Sequence, residues 1–189
     1  MLSCAKEETM LNRFNDRPPA LGQVVVIPFR EKPGEFSSLS ALQTTLIIKP
    51  DGWDVAYYKF CGGMLREGES FETAALRELN EETGIKGDKE LLSELCRIKK
   101  RQHSPHTGRF DVVVYLAFGC DFTRLKDPLY REVGDEGEEA LLASFADIVT
   151  PDYRWKIPTR SSQTASLFAQ HFGFAEDAVR IFGQKETTT

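Results

Sequence analysis

The chain has 189 residues, 41% of them hydrophobic and 28% charged, with a formal net charge of -5. That is material for one ordinary core, and no run approaches the ~18 apolar residues of a membrane span. The acidic balance argues against a surface that wraps nucleic acid, although a small nucleotide needs only local positive charge, and four cysteines at 4, 61, 96 and 120 form no CxxC pair, so free thiols are expected and not a zinc site or disulfide framework.

Residues 1–20 are polar, end near Arg17-Pro18-Pro19, and are expected to form an N-terminal arm. Their first ten residues, MLSCAKEETM, lack the apolar core of a signal peptide, so a cytoplasmic location is expected. Gly22 to Phe29 (GQVVVIPF) is rich in β-branched residues and predicts a strand; Arg30 to Ala41, with Pro33, Gly34 and several serines, predicts a loop. Thr44 to Lys49 and Val55 to Phe60 predict two more strands around a turn at Pro50-Asp51-Gly52, a hairpin that delivers the chain to Gly62.

Gly62 to Ile85 reads GGMLREGESFETAALRELNEETGI. Ser70 follows Gly68 and suits an N-cap, no Gly or Pro interrupts the run to Thr83, and Gly84 suits the left-handed stop. Phe71, Ala75 and Leu79 recur at four-residue spacing with Leu76 beside them, giving a core stripe, and the opposite face is expected to be acidic. Glu78, Glu81 and Glu82 are three or four residues apart and can converge on one patch. Like charges at this spacing cost about 0.2 to 0.5 kcal/mol per pair, and the negative end of a helix disfavours each anion by roughly 0.3 to 1 kcal/mol. A bound cation would reverse both penalties; a solvated acidic face is the plainer alternative.

The same stretch fills the pattern G-x5-E-x7-R-E-U-x-E-E-x-G-U, with U aliphatic, through Gly63, Glu69, Arg77, Glu78, Leu79, Glu81, Glu82, Gly84 and Ile85. Seven such fixed positions, each met at roughly the 7% frequency of a common residue, coincide by chance on the order of once in 10^8 starting points. In this the chain resembles the Nudix hydrolases, and the resemblance extends from about residue 20 to 150.

Beyond the helix, Leu91 to Lys100 and Phe110 to Phe118 predict strands, separated by a loop with His103, Pro105, His106 and Gly108. Phe110, Val112, Val114, Leu116 and Phe118 share one face and Val113 and Tyr115 the other, which predicts burial on both sides. Arg97 to Arg101 (RIKKR) is a basic strand end, either solvated or facing phosphate. A charged segment runs to Glu139, Ala140 to Phe145 is apolar, and Pro158 to Phe172 predicts a helix with Ala165, Leu167, Phe168 and Phe172 on its core face, extended by a turn or two over Glu176 to Phe182. One domain over 21–184 with a tail at 185–189 follows, in the α/β class; strands around a central helix with a second helix late imply a mixed sheet between helices on opposite faces, similar to the α/β/α sandwich of the family.

Splitting a pyrophosphate bond needs charge neutralised on phosphate oxygens and water aimed at phosphorus, and Mg2+, with Mn2+ as an alternative, supplies the first when held by carboxylates. The resemblance implies Glu78 and Glu82 as main ligands, Glu81 on metal or on the attacking water, and the Gly62 carbonyl completing the set. It also implies a supporting pair of Glu69 and Arg77, which can meet as a bidentate clamp on the turn; direct metal contact by Glu69 is the alternative. The general base is expected from a later loop, with Glu136 chosen among Asp135, Glu136, Glu138 and Glu139. His103, His106, Tyr153 and Trp155 are candidate substrate contacts, Tyr57 and Tyr58 further candidates for stacking on a base. The expected partner is a nucleoside diphosphate joined to another moiety, without stable nucleic-acid binding or membrane contact, a homodimer being left open. A catalytically silent nucleotide-binding or regulatory module is the competing reading.

Overall fold

A computed structural model describes residues 22–32, 34–35, 43–48, 57–101, 109–123, 129–130, 140–157 and 160–183. Along them the chain forms β1 (Gln23–Pro28), β2 (Gln43–Ile48), β3 (Tyr57–Lys59), α1 (Phe71–Thr83), β4 (Leu92–Arg101), β5 (Arg109–Ala117), β6 (Leu129–Tyr130), β7 (Ala140–Ser144), α2 (Phe145–Ile148), β8 (Arg154–Ile157), β9 (Arg160–Leu167) and α3 (Phe172–Gly183).

Two β-rich apolar runs define the centre. β1 lies parallel to β5, with Gln23 opposite Val112 and Pro28 opposite Ala117, and β4 pairs antiparallel on the other side of β5. Because side chains alternate along a strand, Val112, Val114 and Leu116 join Val25 and Ile27 on one face, while Val113, Tyr115 and Ala117 join Val24 and Val26 on the other. Ala74, Ala75 and Leu79 of α1 cover the second face; Phe174, Ala175 and Ala178 of α3 cover the first. The two helices therefore sit on opposite faces of this sheet, as expected.

The expected single mixed sheet is divided in two. Among the described residues one sheet has the order β1-β5-β4 and the other β6-β7-β2-β3-β9-β8, each with one parallel pair. What separates them is the glycine-rich segment after β3, which occupies the outer edge of β1: the Val24 amide donates to the Gly63 carbonyl at 2.9 Å and the Val26 amide to that of Cys61 at 2.8 Å.

Residues 158–172 depart from the expected helix. They supply β9 and a 3-10 turn at Ala169–His171, and the helix begins only at Phe172. Ala165 and Leu167 are buried as alternate residues opposite β3, and Ser161, Ser162 and Thr164 are hydroxyl residues that compete for backbone hydrogen bonds and weaken a helix. The stripe of α1 is also rotated from the expectation. Phe71 and Leu76 are half-buried, whereas Ala74, Ala75, Leu79, Glu82 and Thr83 are buried, so one acid lies on the core side.

Candidate active site

Local backbone chemistry fixes α1. The Ser70 hydroxyl accepts the Thr73 amide at 3.2 Å, and Gly84, at φ 68°, donates its amide to the Asn80 carbonyl. Gly62 stands at φ 151° against β1, where a Cβ would strike the Val24 carbonyl oxygen and Val25 Cα. A Cβ on Gly63 would strike the Glu78 carboxylate. Both glycines thus allow the turn to lie between a strand edge and an acid.

Arg77 ties this together. Its Nε and Nη2 donate to the two oxygens of Glu69 at 2.7 and 2.9 Å, Nη1 donates to Glu78 at 2.6 Å and Glu81 at 2.8 Å, and Nη2 also donates to the Met64 carbonyl at 3.0 Å. The Arg66 amide completes Glu69 at 2.9 Å, and the Arg66 side chain reaches Glu81 at 2.9 Å. The Arg77 hydrogen bonds hold the Glu69 carboxyl below its usual range, and that carboxylate in turn raises the Arg77 guanidinium further.

Glu82 differs from its neighbours. Its side chain is 4% exposed, against 12% for Glu78 and 36% for Glu81, and it accepts from Lys59 Nζ at 2.6 Å and from the Gly62 amide at 2.7 Å. The buried anion thus has an ammonium and a peptide N–H in hydrogen-bond contact. Burial, and next to it the charge of Glu82, pushes the neighbouring Cys61 thiol well up; Cys61, Cys96 and Cys120 are all free.

A cavity of about 260 Å³ opens beside the turn, its wall including Tyr57, Lys59, Gly62, Gln170 and His171. His171 is buried, accepts the Phe60 amide on Nδ1 at 2.9 Å and lies between aromatic rings; burial first, then the charges of Lys59 and Lys100, lower its pKa to about 3.

The structure thus brings Gly62, Glu69, Arg77, Glu78, Glu81 and Glu82 together. Tyr153 stands elsewhere: its ring stacks on Phe172 at 3.9 Å and its hydroxyl donates to Glu176 at 2.5 Å. Glu136, His103 and His106 lie outside the described residues, as does the side chain of Trp155. Of the basic strand end, Arg97 turns onto Glu94 and Asp111 and over the Phe71 ring. Lys59, Arg66 and His171 were not among the expected site residues. Strand alternation could have flagged Lys59, since Tyr58 buries inward and Lys59 must then face the other way; His171 was hidden by the misassigned helix.

Among the described residues no group of three or more His, Cys, Asp or Glu side chains is arranged to hold a metal ion. The reason is geometric: the carboxylates are turned onto Arg77, Arg66 and Lys59. Nor is any described helix long and apolar enough to cross a membrane.

Residues 20–161 match the family model of the NUDIX domain, and the chain belongs to that family. No curated protein matches it. Among solved structures, a MutT/nudix family protein from Enterococcus faecalis is similar at 22% identity and a TM-score of 0.45, over 74% of this chain and 51% of that one. NrtR from Shewanella oneidensis is similar at 19% identity and 0.54, over 87% of this chain and 64% of that one. The NUDIX domain of Shewanella oneidensis NrtR, complexed with ADP ribose, is similar at 16% identity and 0.54, over 91% of this chain and 97% of that one. The chain therefore spans between half and two thirds of the first two proteins, and at such identities the likeness is one of fold.

Proposed function

We propose that the chain is a divalent-metal-dependent hydrolase that splits a pyrophosphate bond in a nucleoside diphosphate linked to another moiety: a nucleotide sugar, a dinucleoside polyphosphate or a nucleoside triphosphate. The observation that carries this is the unbroken family pattern, whose acids are gathered around Arg77 beside the Gly62–Gly63 turn. ADP ribose in the Shewanella NUDIX domain is a ligand of the same class and supports it.

The donor set fits Mg2+ or Mn2+. Glu78, Glu81 and Glu82 offer hard carboxylate oxygens, and each already faces a cationic side chain, which is the charge balance a divalent ion would meet. Glu78 and Glu82 would be the main ligands, with Glu81 and the Gly62 carbonyl completing the set. A bound ion would neutralise phosphate charge and lower the pKa of its water.

The chain's own residues do the positioning. Arg77 forks onto Glu69 and holds Met64, so the turn keeps its place against α1. Glu81, the most exposed of the three acids, is the one that water reaches most readily. Glu136 is our choice of general base, with His103, His106 and Trp155 as substrate contacts; Tyr153, engaged by Phe172 and Glu176, is a weaker choice. We place the reaction in the cytoplasm and within one domain at 21–184, with no stable nucleic-acid partner and either a monomer or a homodimer.

A second reading, a nucleotide-binding regulatory module, is favoured by the solved structure of Shewanella NrtR complexed with a 27mer DNA. The assay that separates them offers ADP ribose, nucleotide sugars, dinucleoside polyphosphates and nucleoside triphosphates with Mg2+ or Mn2+ and follows nucleotide and phosphate release. Metal-dependent release from one class is expected. Silence across the whole panel, with the ligands nevertheless bound, would favour the regulatory module.

A further inference from the structure

The cavity beside the turn shares Lys59 and Gly62 with the acid cluster, since both residues line it and both touch Glu82. At about 260 Å³ it is smaller than the ~300 to 1,000 Å³ of sites that enclose a whole drug-sized ligand, and suits one ring system. No carboxylate lines it. Its polar groups are the amides Gln23 and Gln170, Lys59 and His171, beside the aromatic rings of Tyr57 and Phe168. The Lys59 ammonium is already 2.6 Å from Glu82, which makes the cavity a poor cradle for phosphate. Amides, by contrast, present a donor and an acceptor to a heterocycle's edge, and aromatic rings present a face to any base.

His171 adds a fixed donor. Its Nδ1 accepts the Phe60 amide, so the neutral ring carries its proton on Nε2, and the imidazole is held by Phe60 at 5.5 Å, Phe168 at 5.9 Å and Phe174 at 5.5 Å between ring centroids. A donor locked in tautomer and orientation is what selective recognition requires. We infer that this cavity receives the base of the nucleoside whose diphosphate lies at the acid cluster, with the His171 Nε2–H directed to a ring acceptor and Gln170 at the exposed rim. The inference rests on the hydrolase reading above for the place of the diphosphate. Phe168, Gln170 and His171 lie beyond the residues that match the family model, so this selectivity belongs to the chain and not to the shared pattern.

The test uses the full chain with Mg2+ and the α,β-methylene analogues of ADP, GDP, CDP and UDP, whose bridging carbon cannot be hydrolysed, against base-free methylenediphosphonate, by calorimetric titration. At least one nucleoside analogue is expected to bind tenfold or more tightly than methylenediphosphonate. Gln170→Trp, at an exposed position that tolerates the change, is expected to fill the rim and reduce that excess below threefold; His171→Gln is expected to reduce it as well if the variant folds. Equal binding of all five ligands by the wild type, or a full excess in Gln170→Trp, overturns the inference. A nucleoside analogue that binds with the expected excess and loses it in Gln170→Trp, while methylenediphosphonate does not bind at all, upholds the cavity and counts against the diphosphate at the acid cluster.

Discussion

Glu82 is an acid at a core position, and its electrostatics rest on Lys59. Removing one partner of a buried pair leaves an uncompensated charge, a loss of about 3 to 5 kcal/mol for full burial. With Lys59 itself 22% exposed, Lys59→Met should cost about 2 to 3 kcal/mol in urea unfolding. Mg2+ should then raise the thermal midpoint more in Lys59→Met than in the wild type, because the ion supplies the charge the variant lacks; an equal rise in both would separate Lys59 from the metal site. Glu69 and Arg77 form the second residue-scale pair. A double-mutant cycle with Glu69→Gln and Arg77→Lys should give a coupling of about 1 to 3 kcal/mol, and additive losses would show that the clamp carries no stability. The Glu69 carboxyl titrates below its ordinary 4.5 in the folded protein, so its contribution is present above the unfolded pKa and is lost as pH falls through the folded one. The stability difference between wild type and Glu69→Gln should therefore be steady at pH 6 to 8 and shrink below about pH 4.5.

At the scale of elements, the turn before α1 is held by steric fit more than by its own hydrogen bonds. Gly62→Ala places a Cβ on the β1 backbone in a left-handed region, and should cost about 2 to 3 kcal/mol and lower activity together with stability. Ser70→Ala, which removes only the cap, should cost about 1 kcal/mol by thermal unfolding. α1 was readable in the sequence because both of its ends carry residues with local reasons to be there, Ser70 and Gly84, and β5 because its two faces each carry an apolar series. Two features were not readable. Ala75, Leu79 and Glu82 fall at four and then three residues, a core spacing, yet the charge of Glu82 pointed to the solvent face; only Lys59 and the Gly62 amide, brought from β3 and the turn, make burial tolerable. Residues 160–167 looked helical because Ala165, Leu167 and Phe168 also fit a helical face, and pairing with β3 and β8, a tertiary matter, decided for strand.

Across the whole molecule, the α/β class and the helices on opposite faces followed from element order, while the division into two sheets did not, since it depends on the glycine-rich segment lying along β1. The acid cluster was legible because its members lie on one helix and in the turn before it, within Gly62–Glu82; the cavity was not, because Gln23, Lys59 and His171 come from distant parts of the chain. The acids belong to the family's shared pattern, and the cavity is built partly from residues past its match at 161. The account's central claim is that buried and half-buried acids around Arg77 and Gly62 perform metal-dependent cleavage of a diphosphate. The most direct measurement compares nucleotide release by the wild type and by Glu82→Gln, with folding checked by circular dichroism, in the presence and absence of Mg2+ or Mn2+. Release by the wild type only with metal, and a fall of at least about 100-fold in the variant, equivalent to ~2.7 kcal/mol of transition-state stabilisation, is the expected result. Undiminished, metal-independent release by a folded Glu82→Gln would contradict it.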